Sequence, residues 1–216
     1  MPWIAIALTT GCLLMVSGLV VAESRNHSVA RRFLKIVAST AFILLALSLH
    51  ASASTYGQLV LLALVLSWIG DVFLLSRRKV LFLSGLGSFL LAHVAFSVAF
   101  ASGPLSFSAF FIGLVFTSAM GAVTLRWLWG WLDAPHKVAT AAYVVAIIAM
   151  CSMAIAYSAA SQSWLTAVGA LAFAASDISV ARDRFVESAF FNRAWGLPVY
   201  YSAQLLLAWS VAQGVP

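Results

Sequence analysis

Ser67–His93 reads SWIGDVFLLSRRKVLFLSGLGSFLLAH. Two apolar runs flank a basic turn, Arg77-Arg78-Lys79. An acid, Asp71, lies inside the first run, and Gly85, Gly87, Phe89 and His93 lie in the second. A carboxylate in hydrocarbon costs about 2.5–3.5 kcal/mol on insertion scales, and acids retained there mark function more often than not. The stretch reads as two membrane-crossing helices joined by a cationic hairpin, with a polar group on each.

The rest of the chain repeats that pattern. Of 216 residues, 63% are hydrophobic and 8% charged, with a mean hydropathy of +1.04. A soluble domain carries about 25% charged residues, so the chain is an integral membrane protein and all-α. Eight spans are expected: Trp3–Ala22, Phe33–His50, Tyr56–Leu75, Val80–Phe100, Phe107–Leu125, Val138–Ala159, Trp164–Ala181 and Trp195–Ala212. Most approach the ~20 residues that a helix needs to cross a bilayer. Turn chemistry separates them: Ser102-Gly103-Pro104, Asp133-Ala134-Pro135 and Gly196-Leu197-Pro198. The last is expected to open the eighth span, since proline is tolerated in a first turn. The first run is read as a span and not a cleavable signal, because no basic residue precedes it.

Charge orients the bundle. All 12 lysines and arginines fall in or beside alternate turns. Arg25, Arg31, Arg32 and Lys35 adjoin the first. Arg77, Arg78 and Lys79 form the second. Arg126 and Lys137 flank the third, and Arg182, Arg184 and Arg193 the fourth. The positive-inside rule puts these turns in the cytoplasm and both termini outside. In a bacterium the location is the inner membrane. Trp127, Trp129 and Trp131 fit an interfacial belt on the inner side, and Trp3 and Trp164 fit one on the outer side. The net charge of +6 is spent on these turns, which argues against a nucleic-acid partner. Cys12 and Cys151 have neither metal-ligand spacing nor a disulfide pattern. One transmembrane domain, 1–216, is expected. Gly70-Asp71 and Ser176-Asp177 each close the third span of a four-span half, as a parallel duplication of 1–101 and 105–216 would produce.

Candidate chemistry collects at the cytoplasmic side. Asp71 and Asp177 each lie about a turn from a helix end, and Lys35, Tyr143, Tyr200, Tyr201 and Gln204 begin helices at that side. His93 is deeper, ~20 Å along its helix at 1.5 Å per residue. Paired carboxylates suit acid/base hydrolysis. A neutral carboxyl donates a proton, and an ionised one beside a cation activates water. Other readings stand beside this one. Asp71 can pair structurally with Lys35 or Arg78, and Asp177 with Ser176 or Arg182. Lys35 can snorkel, the tyrosines can be interfacial, and Gly85 and Gly87 suit close packing better than phosphate binding. Glu23, Asp133, Asp183 and Glu187 read as solvated loop charges. A small proton-coupled transporter or a lipid-binding membrane protein would also place such acids in its helices. A carrier of this size would need a second copy, so a homodimer goes with that alternative.

Four motifs carry a family resemblance: Gly70-Asp71-Val72-Phe73-Leu74, Gly85-x-x-x-Phe89-x-x-x-His93, Ser176-Asp177-x-x-x-Ala181-x-x-Arg184-Phe185, and Tyr200-Tyr201-x-Ala203-Gln204-Leu205. With the eight-span layout they resemble the YhhN/TMEM86 family of membrane proteins, whose animal members are lysoplasmalogenases. Two departures are Ile36 after Lys35, where the family often has proline, and Phe96, where it often has tyrosine. The resemblance implies a membrane hydrolase that cleaves the vinyl ether of lysoplasmalogens, with Asp71 and Asp177 catalytic. Lys35, His93, Tyr143, Tyr200, Tyr201 and Gln204 would bind a lysophospholipid drawn from the bilayer. It implies no metal and no cofactor. A polar pocket is expected, open toward the cytoplasmic leaflet, floored by the two aspartates, narrowing toward His93, and apolar in its outer part.

Overall fold

A computed structural model describes residues 2–76 and 78–213. Arg77, the first member of the second basic turn, lies outside the described residues. Among those described, every regular element is helical: α1 Pro2–Ser24, α2 Ser28–Ser48, α3 Thr55–Phe73, α4 Lys79–Ala101, α5 Phe107–Leu128, α6 Ala134–Ser161, α7 Leu165–Ala181 and α8 Phe190–Trp209. Polar side chains start several of them. Ser54 accepts the Gly57 N–H, Ser106 that of Ala109 and Asp133 that of His136, each meeting an otherwise orphaned first-turn donor.

Six of the eight helices are long and apolar enough to cross a membrane. The exceptions, α2 and α8, have 21 and 20 residues and so the length to cross. Their hydropathy is lowered by Arg31, Arg32 and Lys35 on one, and by Asn192, Arg193, Tyr200, Tyr201 and Gln204 on the other. Most of these polar groups point into protein, where a spanning helix can keep them.

Three helices start earlier than the apolar runs predict. α2 begins at Ser28, α6 at Ala134 and α8 at Phe190. Hydropathy marks where a helix enters hydrocarbon, and these three begin in the polar layer before it. One consequence corrects the expectation for Pro198. It lies inside α8, not in its first turn. Without an N–H it cannot bond the Ala194 carbonyl, so the α8 ladder is interrupted there. α7 likewise does not simply stop, because Arg182–Val186 continues it as a π-turn closed by the Glu187 N–H on the Arg182 carbonyl, 2.9 Å.

Sequential pairs pack as hairpins: α1 on α2, α3 on α4, α5 on α6, α7 on α8. α8 is the hub of one half, touching α1, α2, α3 and α7, while α6 bridges α4, α5 and α7. Tyr201, Ala203, Gln204 and Leu207 on α8 are wholly buried. Two glycines set the spacing. A Cβ at Gly70 would stand 2.6 Å from the Phe89 ring, and one at Gly196 would collide with the Ser179 side chain. Gly70 therefore lets α3 close on α4, and Gly196 lets α8 close on α7. Gly85 is also a packing position, against Phe73 and Leu74, whereas Gly87 faces open space.

The four basic turns meet at one end. Arg193, starting α8, reaches Glu23 at the end of α1, 3.1 Å. Phe185, after α7, packs edge-on against Phe82 of α4 and lies beside His136 of α6. Alternate turns meet at one end when every helix crosses, as the charge pattern requires. The three inner-belt tryptophans and Trp3 and Trp164 are exposed at the two ends.

Candidate active site

A cavity of about 740 Å³ opens among α1–α8 toward the basic end. Its polar wall includes Lys35, Asp71, Tyr143, Asp177 and Tyr200. These five come from α2, α3, α6, α7 and α8, so the fold brings one side chain from each of five helices to one chamber. Its apolar part lies between α5, α6 and α7, lined by Phe116, Met120, Val144, Ile147, Ile148 and Leu171. α5 packs extensively along α6, whereas no comparable α5–α7 packing occurs among the described residues.

Asp71 is 3% exposed and surrounded by donors. Its Oδ2 accepts the Ser39 hydroxyl at 2.5 Å and the Tyr200 hydroxyl at 2.8 Å. Its Oδ1 faces Lys35 Nζ at 3.2 Å. Lys35 sits two turns into α2, because that helix starts at Ser28, and its ammonium is held against Asp71 with the side chain 13% exposed. The Lys35 pairing foreseen as a structural alternative is real, and the same carboxylate also faces the cavity.

Asp177 has a different company. Tyr143 donates to its Oδ1 at 3.2 Å, and His93 Nε2 stands 3.2 Å from its Oδ2. The last two atoms are close but not aligned for a straight hydrogen bond. His93 is wholly buried, stacked on Phe173 with ring centroids 4.4 Å apart and edge-on to Tyr143. Its Nδ1 lies 2.6 Å from the Phe89 carbonyl. A carbonyl only accepts, so Nδ1 carries a proton. Nε2 and Asp177 Oδ2 then face each other at 3.2 Å, both buried and neither with a hydrogen-bond partner among the described residues.

Three of the expected binding residues stand behind the chamber wall. His93 contacts Asp177 and does not narrow the pocket. Tyr201 donates to the Lys35 carbonyl at 3.2 Å and lies 3.1 Å from Ser39 Oγ. Gln204 reaches Ser67 Oγ at 3.5 Å. Tyr201 thus fixes the backbone that carries Lys35.

Two acids read as loop charges belong to the cavity lining. Glu23 is 8% exposed and pairs with Arg31 at 3.3 Å and Arg193 at 3.1 Å. Asp183 pairs with Arg193 at 3.1 Å. Ser39 was also missed. It lies one turn after Lys35 on the same face of α2, a signal that i, i+4 counting from Lys35 supplies. Asp133, by contrast, is an exposed cap, its carboxyl held below the usual aspartate value by the His136 hydrogen bond.

The YhhN family model matches residues 30–211. Lysoplasmalogenase TMEM86A of Bos taurus is 29% identical over 170 residues, which is 76% of this chain and 68% of the bovine protein. Its Homo sapiens counterpart is 30% identical over 170 residues, with the same shares of each chain. Lysoplasmalogenase TMEM86B of Sus scrofa is 32% identical over 152 residues, 70% of this chain and 62% of the porcine protein. No solved structure matches the chain. The matched region holds both aspartates, Lys35, His93 and the tyrosines of α6 and α8, and the chain belongs to the YhhN family.

Proposed function

We propose that this protein is a membrane-embedded hydrolase that cleaves the vinyl ether bond of lysoplasmalogens, releasing a fatty aldehyde and a glycerophospho-ethanolamine or -choline. The observation that carries this reading is the contrast between two acids lining one chamber: Asp71 meets an ammonium and two hydroxyls, whereas Asp177 meets the Tyr143 hydroxyl and the buried His93 ring.

Vinyl ethers hydrolyse by slow protonation at carbon. In this reading the Asp177–His93 pair gives its proton to the vinyl carbon remote from oxygen. The double-bond electrons form the new C–H bond, and the adjacent carbon becomes an oxocarbenium ion. Asp71 stabilises that cation and takes a proton from the attacking water. A hemiacetal results. Its C–O bond to glycerol breaks as Asp71 gives its proton to the leaving glycerol oxygen, the hemiacetal hydroxyl gives its proton to the Asp177–His93 pair, and the aldehyde departs. The sum consumes one water and returns both acids to their starting states. Lys35, Ser39 and Tyr200 fix Asp71, and Tyr143 fixes Asp177. The apolar part between α5, α6 and α7 suits a single acyl-type chain entering from the bilayer.

The test is mass spectrometry of purified protein incubated with a lysoplasmalogen. Free aldehyde, with loss of the lipid, is the expected result. Unchanged lipid, together with proton flux in vesicles, would overturn the hydrolase in favour of a carrier.

A further inference from the structure

Four cations line the cavity, Arg31, Lys35, Arg184 and Arg193. Three of them are matched. Arg31 and Arg193 face Glu23, Arg193 also faces Asp183, and Lys35 faces Asp71. The other acids are taken as well: Asp177 lies against His93, Asp133 against His136 and Glu187 against Arg182. All six acids of the chain thus have a basic partner, and none of those partners is Arg184. Arg184 is exposed at the mouth, and its guanidinium carbon lies 4.3 Å over the Phe82 ring. Phe82 in turn meets Phe185 edge-on. The stacking fixes the plane of the fork without using its N–H groups.

Arg184 also sits in an unusual backbone. The π-turn Arg182–Val186 continues α7 beyond Asp177. Such turns are uncommon and concentrate at functional sites. Seven residues separate Asp177 from Arg184, or about 10 Å at 1.5 Å per residue, and an arginine side chain spans much of that. A planar, oriented guanidinium with no acidic partner among the described residues is the group that binds a phosphate through paired N–H donors.

We infer that Arg184 is the phosphate ligand of the substrate site, holding the phosphodiester of a single-chain phospholipid at the cavity mouth. This rests on the hydrolase reading for the orientation of the lipid. In that lipid only the glycerol backbone separates the phosphate from the bond at O1, so a phosphate on Arg184 puts the ether near Asp177. Glu23 and Asp183 face Arg31 and Arg193, and Asp71 faces Lys35, so Arg184 is the lining cation left for a phosphodiester.

The test is a binding measurement that needs no turnover. The probe is a 1-alkyl-glycerophosphoethanolamine, whose saturated ether cannot be protonated at carbon, compared with the matching 1-alkylglycerol, which lacks phosphate. Thermal unfolding of the purified protein in detergent is followed with each. Wild type should be stabilised more by the phospholipid, with Kd at least ~10-fold tighter than for the alkylglycerol. Arg184→Gln should erase that difference, and Arg184→Lys should keep part of it, because lysine retains charge but not the fork. A difference that survives in Arg184→Gln overturns the assignment. So does equal stabilisation by inorganic phosphate alone, which would make this a free-anion site. Aldehyde release by wild type is scored separately, so the hydrolase can stand while the headgroup assignment falls.

Discussion

At the scale of residues, the roles proposed for the two aspartates differ, and substitution tests them. Asp71→Asn and Asp177→Asn keep shape but cannot exchange a proton. Each should lower aldehyde release by at least ~10²-fold, the usual worth of a positioned acid or base, while the detergent-solubilised protein still melts cooperatively. His93→Gln should lose activity to a similar degree. The double variant with Asp177→Asn should be little worse than either single one, because the two side chains act as a unit. Near-normal turnover in both aspartate variants would defeat the assignment. Asp71, Asp177, Lys35 and the tyrosines were legible in the sequence because polar groups in apolar runs stand out. Glu23 and Asp183 were not. They sit at helix ends, where an acid looks solvated, and it is Arg193 that ties them together, 10 residues from Asp183 but brought to Glu23 from the far end of the chain. His93 was legible as a buried polar group, but its contact with Asp177 depends on the depth at which α4 passes α7.

Elements show the same division. The eight helices and their order follow from hydropathy and turns, whereas their polar beginnings do not. α6 illustrates this, since Asp133 and not Val138 starts it. The Asp133 carboxyl is held below the ordinary aspartate value of 3.8, first by the His136 side-chain hydrogen bond and then by the His136 backbone N–H. A folded value below the unfolded one means the cap's contribution is complete above 3.8 and is lost as pH falls through the folded value. Hydrogen exchange at the first turn of α6 should accelerate in that acid window, and Asp133→Asn should abolish the acceleration, since asparagine caps without titrating. Close packing supplies a second prediction. Gly196→Ala puts a methyl group against Ser179 and should destabilise the α7–α8 pair by about 1–3 kcal/mol, typical of overpacking. Thermal melting in detergent reads this, with Gly87→Ala as the comparison that should change little, because nothing lies near that position.

For the whole molecule, the decisive feature is the gathering of all four basic turns at one end. Cysteines introduced at Ser54 and Arg78 flank α3 on opposite sides. They should label with impermeant reagents from opposite faces of the membrane, and labelling from one face would overturn the eight-helix crossing pattern. The charge distribution made this arrangement legible. Helix neighbours were not, because hydropathy says that a helix is in the bilayer and nothing about what it touches. The lack of comparable α5–α7 packing among the described residues is a case in point. The cavity runs from that apolar gap to a charged mouth, so under the hydrolase reading its two products belong to different phases. The aldehyde stays in the oil and the phosphorylated glycerol goes to water. Partition then removes them from each other at once. The rate should follow the mole fraction of substrate in the membrane and not its bulk concentration, and recombination should be negligible even when aldehyde accumulates.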